Sequence, residues 1–321
     1  MEVSASASGG RALITGVAGQ DGSYLAEQLL ADGVEVHGLV RRDDATTYVP
    51  EGATLHVGDV TDPESTRALL NDLGPDLVVN LAAMSSVAQS WSEPELSYAV
   101  NAEAAMALLE TVEEMADNGH EVRFVQASSA ELFGSPTVSP QDESTLLAPT
   151  NPYGVAKATA HRAVAEARAR GLHASSLILY NHESPRRPAT FVTRKITMAA
   201  AAIARGEADD LALGNLDARR DWGWAPDYAD AMVRAGRAEA PGDYVIATGV
   251  SHSVRDFVAA AFTAAGVDDW EQYVRVDPDF FRPADATELV GDASRARRAL
   301  GWAPTRTFEQ VVAAMVAADL G

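Results

Sequence analysis

Arg11-Ala12-Leu13-Ile14-Thr15-Gly16-Val17-Ala18-Gly19-Gln20-Asp21-Gly22 is the stretch from which the fold can be read. Its first five residues are an apolar run of strand length, and the glycines that follow are spaced G-x-x-G-x-x-G. Residues 23–32 then carry the periodicity of an amphipathic helix, and residues 34–40 read as a second strand. Glycines placed between a strand and a helix let the backbone approach a pyrophosphate at the helix N-terminus. The pattern alone is weak, but the strand before it and the helix after it are what the mechanism requires. Gly16, Gly19, Gln20, Asp21 and Gly22 are therefore expected to hold a dinucleotide cofactor.

Working outward, the second strand ends in Arg41-Arg42, where an NAD-selective site would carry an acid for the ribose hydroxyls. Arginine there suits the 2′-phosphate of NADP. Asp43 and Asp44 follow at once, and an inward turn by either would admit NAD. Residues 55–60 read as a third strand, with Asp59 at its end placed to meet an adenine amino group. A helix over 66–73, a strand over 76–81, a long helix over 98–115 and a strand over 122–127 continue the alternation. This pattern predicts an α/β fold, a doubly wound parallel sheet of Rossmann type. Small residues Ala82 and Ala83, after the fourth strand, leave room for a cofactor or serve packing alone.

In such a sheet the C-terminal strand ends face the ligand crevice. The fifth strand runs into Ser128-Ser129-Ala130-Glu131, which puts Ser129 and Glu131 beside the next helix, unless they merely cap it or hold a loop. That helix opens with Asn151 as a plausible N-cap and Pro152 in its first turn. It carries Tyr153 and Lys157, four residues apart and so on one face. The spacing is common by chance, but its position makes an acid/base pair the better reading. A nearby ammonium is expected to lower the phenol's pKa.

Composition narrows the function classes. The chain has 321 residues, is 47% hydrophobic and 22% charged, and contains no cysteine, which excludes disulfides and thiolate metal sites. A net charge of −21 argues against nucleic acid or an anionic membrane as the main partner. No metal site is expected. Residues 1–10 are rich in Ser, Ala and Gly and read as a flexible tail, neither signal peptide nor anchor, so a cytoplasmic location is expected.

The glycine turn, Ser129 and the Tyr153/Lys157 pair resemble the extended short-chain dehydrogenase/reductase superfamily. More narrowly, the chain is similar to the GDP-mannose 4,6-dehydratase family. That likeness rests on Gly19-Gln20-Asp21-Gly22-Ser23-Tyr24-Leu25, residues 127–134, Asn181-His182-Glu183-Ser184-Pro185-Arg186-Arg187 and Phe191-Val192-Thr193-Arg194-Lys195. It continues in Leu213-Gly214-Asn215, Arg220-Asp221-Trp222-Gly223 and Phe281-Arg282-Pro283. The resemblance extends the cofactor contacts to Arg41, Asp59, Val60, Leu81, Ala82, Ala83, Ser85, Tyr153, Lys157, His182 and Arg187. It implies substrate contacts at Ser85, Asn181, Val192, Lys195, Leu213, Gly214, Arg220 and Arg282.

The chain also departs from the family. Ser129 stands where threonine is usual, Ala130 where the family has serine, and Met84, Ser86 and Pro188 replace glutamine, histidine and glycine. The loop after Arg42 is cut short. Because that loop helps build the family's tetramer, a homo-oligomer of two subunits is the expectation.

The second half adds His182, Arg186, Arg187, Arg194, Lys195, Arg219, Arg220 and Arg282, basic groups suited to a diphosphate. Each alone would read as a surface ion pair. The expected division is 11–178 with 220–252 for the dinucleotide, and 179–219 with 253–321 for a nucleotide sugar, GDP-mannose by resemblance. The implied reaction is a hidden redox cycle: oxidation at C-4 with Tyr153 as base, loss of water across C-5 and C-6 with Glu131 as base, and return of the hydride to C-6. Two alternatives remain open. One is an enzyme of this fold acting on another nucleotide sugar, or as an epimerase or 4-reductase. The other is a catalytically silent nucleotide-binding protein.

Overall fold

Apolar runs separated by short amphipathic helices have one economical solution, a sheet covered on both faces. The computed structural model describes residues 9–280 and 288–321. Its first half contains β1 (Arg11–Thr15), α1 (Gln20–Ala31), β2 (Glu35–Val40), β3 (Thr54–Val57), α2 (Pro63–Leu73) and β4 (Leu77–Asn80). There follow α3 (Val87–Ser92), α4 (Pro94–Tyr98), α5 (Ala104–Asp117), β5 (Arg123–Ser129), α6 (Pro152–Ala169) and β6 (His173–Leu179). The second half adds β7 (Asn181–Glu183), α7 (Val192–Ala204), β8 (Leu211–Leu213), β9 (Arg219–Trp224), α8 (Ala225–Arg237) and β10 (Asp243–Ile246). Last come β11 (Ser251–Ser253), α9 (Val254–Ala264), β12 (Val274–Val276), β13 (Glu288–Leu289), α10 (Ser294–Leu300) and α11 (Phe308–Leu320).

Seven strands form one sheet in the order β10-β6-β5-β4-β1-β2-β3, and every neighbouring pair is parallel. The order reverses direction at β1, between β2 and β4, which opens a crevice at the strand ends. One face is sealed by Leu25, Leu29, Met232 and Tyr228, and the other by Leu70, Leu108, Val112 and Val164.

Several boundaries differ from expectation, three of them for a clear local reason. α1 begins at Gln20 rather than at residue 23, because Gly19 is already its N-cap and the glycine turn runs directly into the helix. β3 stops at Val57, so Asp59 and Val60 lie in the turn beyond it, where the Asp59 carboxylate accepts from the Thr61 amide (2.9 Å) and hydroxyl (2.7 Å). The expected long helix over 98–115 is α4 and α5 joined through a π turn at Ala99–Glu103.

A second core gathers Ile196, Leu213, Trp222, Phe257, Phe262, Val312 and Met315 beneath a small sheet in the order β11-β9-β13, with β7 pairing to β9. Residues of 253–321 do not all belong to it. Ala293, Ala296, Leu300 and Trp302 pack into the first core, and the Trp302 indole donates to the Asp227 carbonyl (2.7 Å). Among the described residues no helix is long and apolar enough to cross a membrane.

Candidate active site

The crevice at the strand ends is a cleft of about 860 Å³. Its floor is the glycine turn. Gly16 has φ +71°, and a Cβ there would stand 2.9 Å from the Ala82 amide nitrogen; a Cβ on Gly22 would stand 2.3 Å from the Gly16 carbonyl oxygen. Only glycine permits this approach. It delivers the first turn of α1, whose N-cap makes no side-chain hydrogen bond, to the cleft. The opposite rim is tied down by the α1 side chains. Gln20 donates to the His182 carbonyl (3.1 Å) and accepts from Ser184 (2.8 Å), while Asp21 meets His182 Nε2 at 2.8 Å. The other imidazole nitrogen faces the Tyr180 carbonyl (2.7 Å), so both ring nitrogens face oxygen atoms. Burial works to raise the Asp21 carboxyl, but the charge and hydrogen bond of His182, helped by Arg187 and Gln20, hold it below the usual range.

At the cleft's deep end, Ser129 closes β5, and Glu131 lies in the single 3-10 turn Ala130–Phe133 that follows. Ser129 Oγ accepts from the Glu131 amide (3.2 Å). Asn151 caps α6 as expected, its Oδ1 accepting from the Gly154 amide (2.8 Å), with Pro152 at the first helical position. Tyr153 and Lys157 are both buried on the inward face of α6. The Tyr153 amide donates to Ser90 Oγ (3.3 Å), which joins α3 to α6.

The expected lowering of the Tyr153 pKa is not what this geometry produces. Burial pushes the phenol up to about 12, opposed by a hydrogen bond with Ser129 and by Arg187, and reinforced by the negative charges of Glu131 and Asp21. Lys157 does not offset this. Its Nζ lies 5.8 Å from the Tyr153 ring centre and donates to the Ala127 carbonyl (2.9 Å), and burial lowers its own pKa to about 8 against the pull of Asp21. A helical spacing puts two side chains on one face; which atom each reaches depends on the strand beneath.

That strand end is organised by a buried chain that sequence reasoning missed. Thr15 Oγ1 donates to Asn80 Oδ1 (2.6 Å), Asn80 Nδ2 to Gln126 Oε1 (2.9 Å), and Gln126 Nε2 to the same Ala127 carbonyl that Lys157 uses. Three polar residues at matching positions of β1, β4 and β5 were a legible signal, but one that appears only once strand order is known.

The structure brings together most of the residues singled out from sequence. Gly16, Gly19, Gln20, Asp21, Gly22, Arg41, Asp59, Val60, Leu81, Ala82, Ala83, Ser85, Ser129, Glu131, Tyr153, Lys157, Asn181, His182, Arg187, Val192 and Arg220 all line the one cleft. Lys195, Leu213 and Gly214 do not. Lys195 and Gly214 meet Phe280: Lys195 Nζ sits 3.8 Å above its ring and donates to the Ala212 carbonyl (2.8 Å), and Gly214 abuts its backbone, while Leu213 is buried in the second core. Arg282 lies outside the described residues.

The expected cluster of diphosphate-binding cations is reduced to a few members. Arg186 pairs with Glu27 (2.6 Å) and stacks over Tyr24; Arg194 pairs with Asp319; Arg219 meets Glu288 at 3.5 Å. Each has an acid waiting on another element, so these three knit the fold. Arg187 is also paired, to the buried Glu183 at 3.3 Å, but it faces the cleft. On the far rim Asp44 has turned toward Arg41, not toward the cleft alone: its carboxylate takes Arg41 Nε (3.1 Å), Nη2 (2.9 Å) and the Arg41 amide.

A doubly wound sheet with a glycine turn at its switch point, and a serine, tyrosine and lysine converging in one cleft, defines an enzyme of the short-chain dehydrogenase/reductase class. Comparison with known proteins narrows this. The pattern of the GDP-mannose 4,6 dehydratase family matches residues 13–315, and the chain belongs to that family. It is 45% identical over 324 residues to GDP-mannose 4,6 dehydratase 1 of Arabidopsis thaliana, covering 96% of this chain and 89% of that one. Among solved structures it is similar to the UDP-glucose 4-epimerase of Thermus thermophilus in complex with NAD (TM-score 0.85, 27% identity, 97% and 99% covered). It also shares its fold with the UDP-glucose 4-epimerase of Thermotoga maritima (TM-score 0.86, 24% identity, 96% and 98% covered).

Proposed function

We propose that this protein is an NADP-dependent lyase, converting GDP-mannose to GDP-4-dehydro-6-deoxy-mannose and water. The observation that carries the reading is a carboxylate, Glu131, set beside the serine, tyrosine and lysine in the same cleft. A plain reductase needs only the latter three; a base for a carbon acid is the extra part a dehydratase requires.

The glycine cradle fits a dinucleotide, since a Cβ at Gly16 or Gly22 would fill the space through which the α1 N-terminus is approached. Gly16, Gly19 and Gly22 would hold the dinucleotide, which would supply the hydride acceptor for C-4 and the hydride donor for C-6. Tyr153, as the phenolate, takes the proton of the C-4 hydroxyl; the Ser129 hydrogen bond and Arg187 favour that charge, and Lys157, bound to the Ala127 carbonyl, keeps a cation in the cleft for the dinucleotide. Ser129 donates to the C-4 oxygen as it becomes a ketone, which acidifies C-5. Glu131 takes the C-5 proton. With Ala130 in place of a second polar group, Glu131 also returns that proton to the departing C-6 hydroxyl, which leaves as water; as C-6 is reduced, C-5 takes up one proton, balanced by the one Tyr153 took from the C-4 hydroxyl, so both side chains end as they began. Asn181, Val192 and Arg220 supply the wall of the cleft for the sugar nucleotide and Arg187 that for the cofactor, and Lys195, Leu213 and Gly214, with Arg282 by resemblance alone, would meet the base of the sugar nucleotide. The first core and the Phe257/Val312 core would serve dinucleotide and sugar nucleotide respectively, in a homodimer.

NADP is favoured over NAD by Arg41 on the rim, although Asp44 competes for its guanidinium. Incubation with GDP-mannose and no added reductant tests the reading. A 4-keto product supports it, and a stoichiometric requirement for NADPH would sink it.

A further inference from the structure

We propose that Asn151 is a positioning residue for Glu131, acting through both ends of one buried amide; the inference rests on the dehydratase reading above. Asn151 is 3% exposed. Its Oδ1 is committed to the Gly154 amide as the cap of α6, and that fixes the amide's orientation. The remaining end, Nδ2, can then only point outward from the helix start, and it donates to Glu131 Oε2 at 2.7 Å.

The consequence is geometric. Glu131 sits in a turn of four residues, a short element with little of its own to hold a side chain. Its amide is held by Ser129 Oγ and one carboxylate oxygen by Asn151, which leaves Oε1 as the oxygen available for proton transfer. Because Asn151 also starts the helix that carries Tyr153 and Lys157, one side chain sets the register between the redox pair and the carbon-acid base. The backbone contributes to the same lock: a Cβ at Gly154 would stand 2.6 Å from the Glu131 carbonyl oxygen, so the helix start and the turn lie against each other. A hydrogen bond to a charged group contributes more than one between neutral partners, and losing it also lets the carboxylate swing.

Serine separates the two jobs. Its Oγ caps a helix nearly as well as asparagine, but it is too short to reach Glu131 while doing so. In Asn151→Ser holoenzyme we expect a melting temperature close to native and turnover of GDP-mannose slowed by roughly tenfold to a hundredfold. Stopped-flow absorbance of the reduced nicotinamide should then rise and persist, because oxidation at C-4 proceeds while loss of the C-5 proton lags. Native-like turnover, or slowing without that transient, would overturn the proposal. If serine proves a poor cap and the variant melts early, the rate at which reduced nicotinamide first appears decides. C-4 oxidation should keep its native rate in Asn151→Ser, and a slowing of that phase as large as the slowing of turnover would refute action through Glu131. Failure of the native enzyme to form a 4-keto product would instead refute the dehydratase reading itself.

Discussion

Gly22→Ala is the sharpest test of the cradle, because its cost can be worked from distances. The residue lies in the first turn of α1, where alanine is the better helix former by about 1 kcal/mol. On propensity alone the variant should be more stable. Tertiary contacts say the reverse: the new methyl would stand 2.3 Å from the Gly16 carbonyl oxygen and 2.6 Å from Val17 Cα, both backbone atoms, where ordinary contact begins at 3.4 Å. The helix start must retreat by about 1 Å, and overpacking of this kind costs roughly 1–3 kcal/mol. The net loss is then up to roughly 2 kcal/mol, a fall of up to about 3 °C in melting temperature for a chain of this length. The retreat also pulls Gln20 and Asp21 from Ser184 and His182, across the cleft. Dinucleotide affinity, followed by fluorescence titration, should drop by roughly a hundredfold, the scale of a 1 Å misplacement. Gly19→Ala is the control, since its Cβ would meet only the Gly16 oxygen, at 3.2 Å. A Gly22→Ala protein that melts at or above native and binds NADP as well would refute the reasoning.

Lys157→Met should abolish turnover yet raise the melting temperature, because burial penalises the ammonium and the Ala127 carbonyl keeps its bond from Gln126; a lower melting temperature would contradict this. The sign follows from the lowered pKa: Lys157's destabilising contribution is fully present below about pH 8 and is relieved between there and its unfolded value of 10.5, while activity that needs the cation falls as pH rises through about 8. Native minus Lys157→Met stability, measured by denaturation across pH 7–10, should therefore narrow with rising pH. Arg41→Ala should weaken NADP by roughly tenfold or more while leaving NAD nearly unchanged, and Asp44→Ala should strengthen NADP by releasing the guanidinium; parallel titrations with both dinucleotides check the pair. Glu131→Gln should leave C-4 oxidation intact and stop loss of water, which would appear as stoichiometric reduced nicotinamide and no 4-keto-6-deoxy product.

Much of the molecule was legible in one dimension. Apolar runs of strand length, the glycine spacing and the Asn151-Pro152 helix start depend on neighbours within a few residues, and β1, α6 and the family followed from them. Local pattern failed where the deciding partner was distant. Arg186, Arg194 and Arg219 read as phosphate ligands because Glu27, Asp319 and Glu288 are far away in sequence. The residues of 293–302 read with the C-terminal part, yet Trp302 completes the core under α8.

The sequence by itself determined which chemistry is present: a glycine turn before a helix, and a serine, glutamate, tyrosine and lysine at strand and helix ends. These are properties of residue type and of the 2.0 and 3.6 periods, which short-range sterics impose. Tertiary structure alone decided how that chemistry is set. It buried Tyr153 and Lys157 so that desolvation, not their mutual charge, governs both protons. It sent Lys157 to the Ala127 carbonyl, and it placed the Asn151 amide against Glu131. Burial and pairing sum contributions from every element packed around a group, and no spacing along the chain encodes that sum.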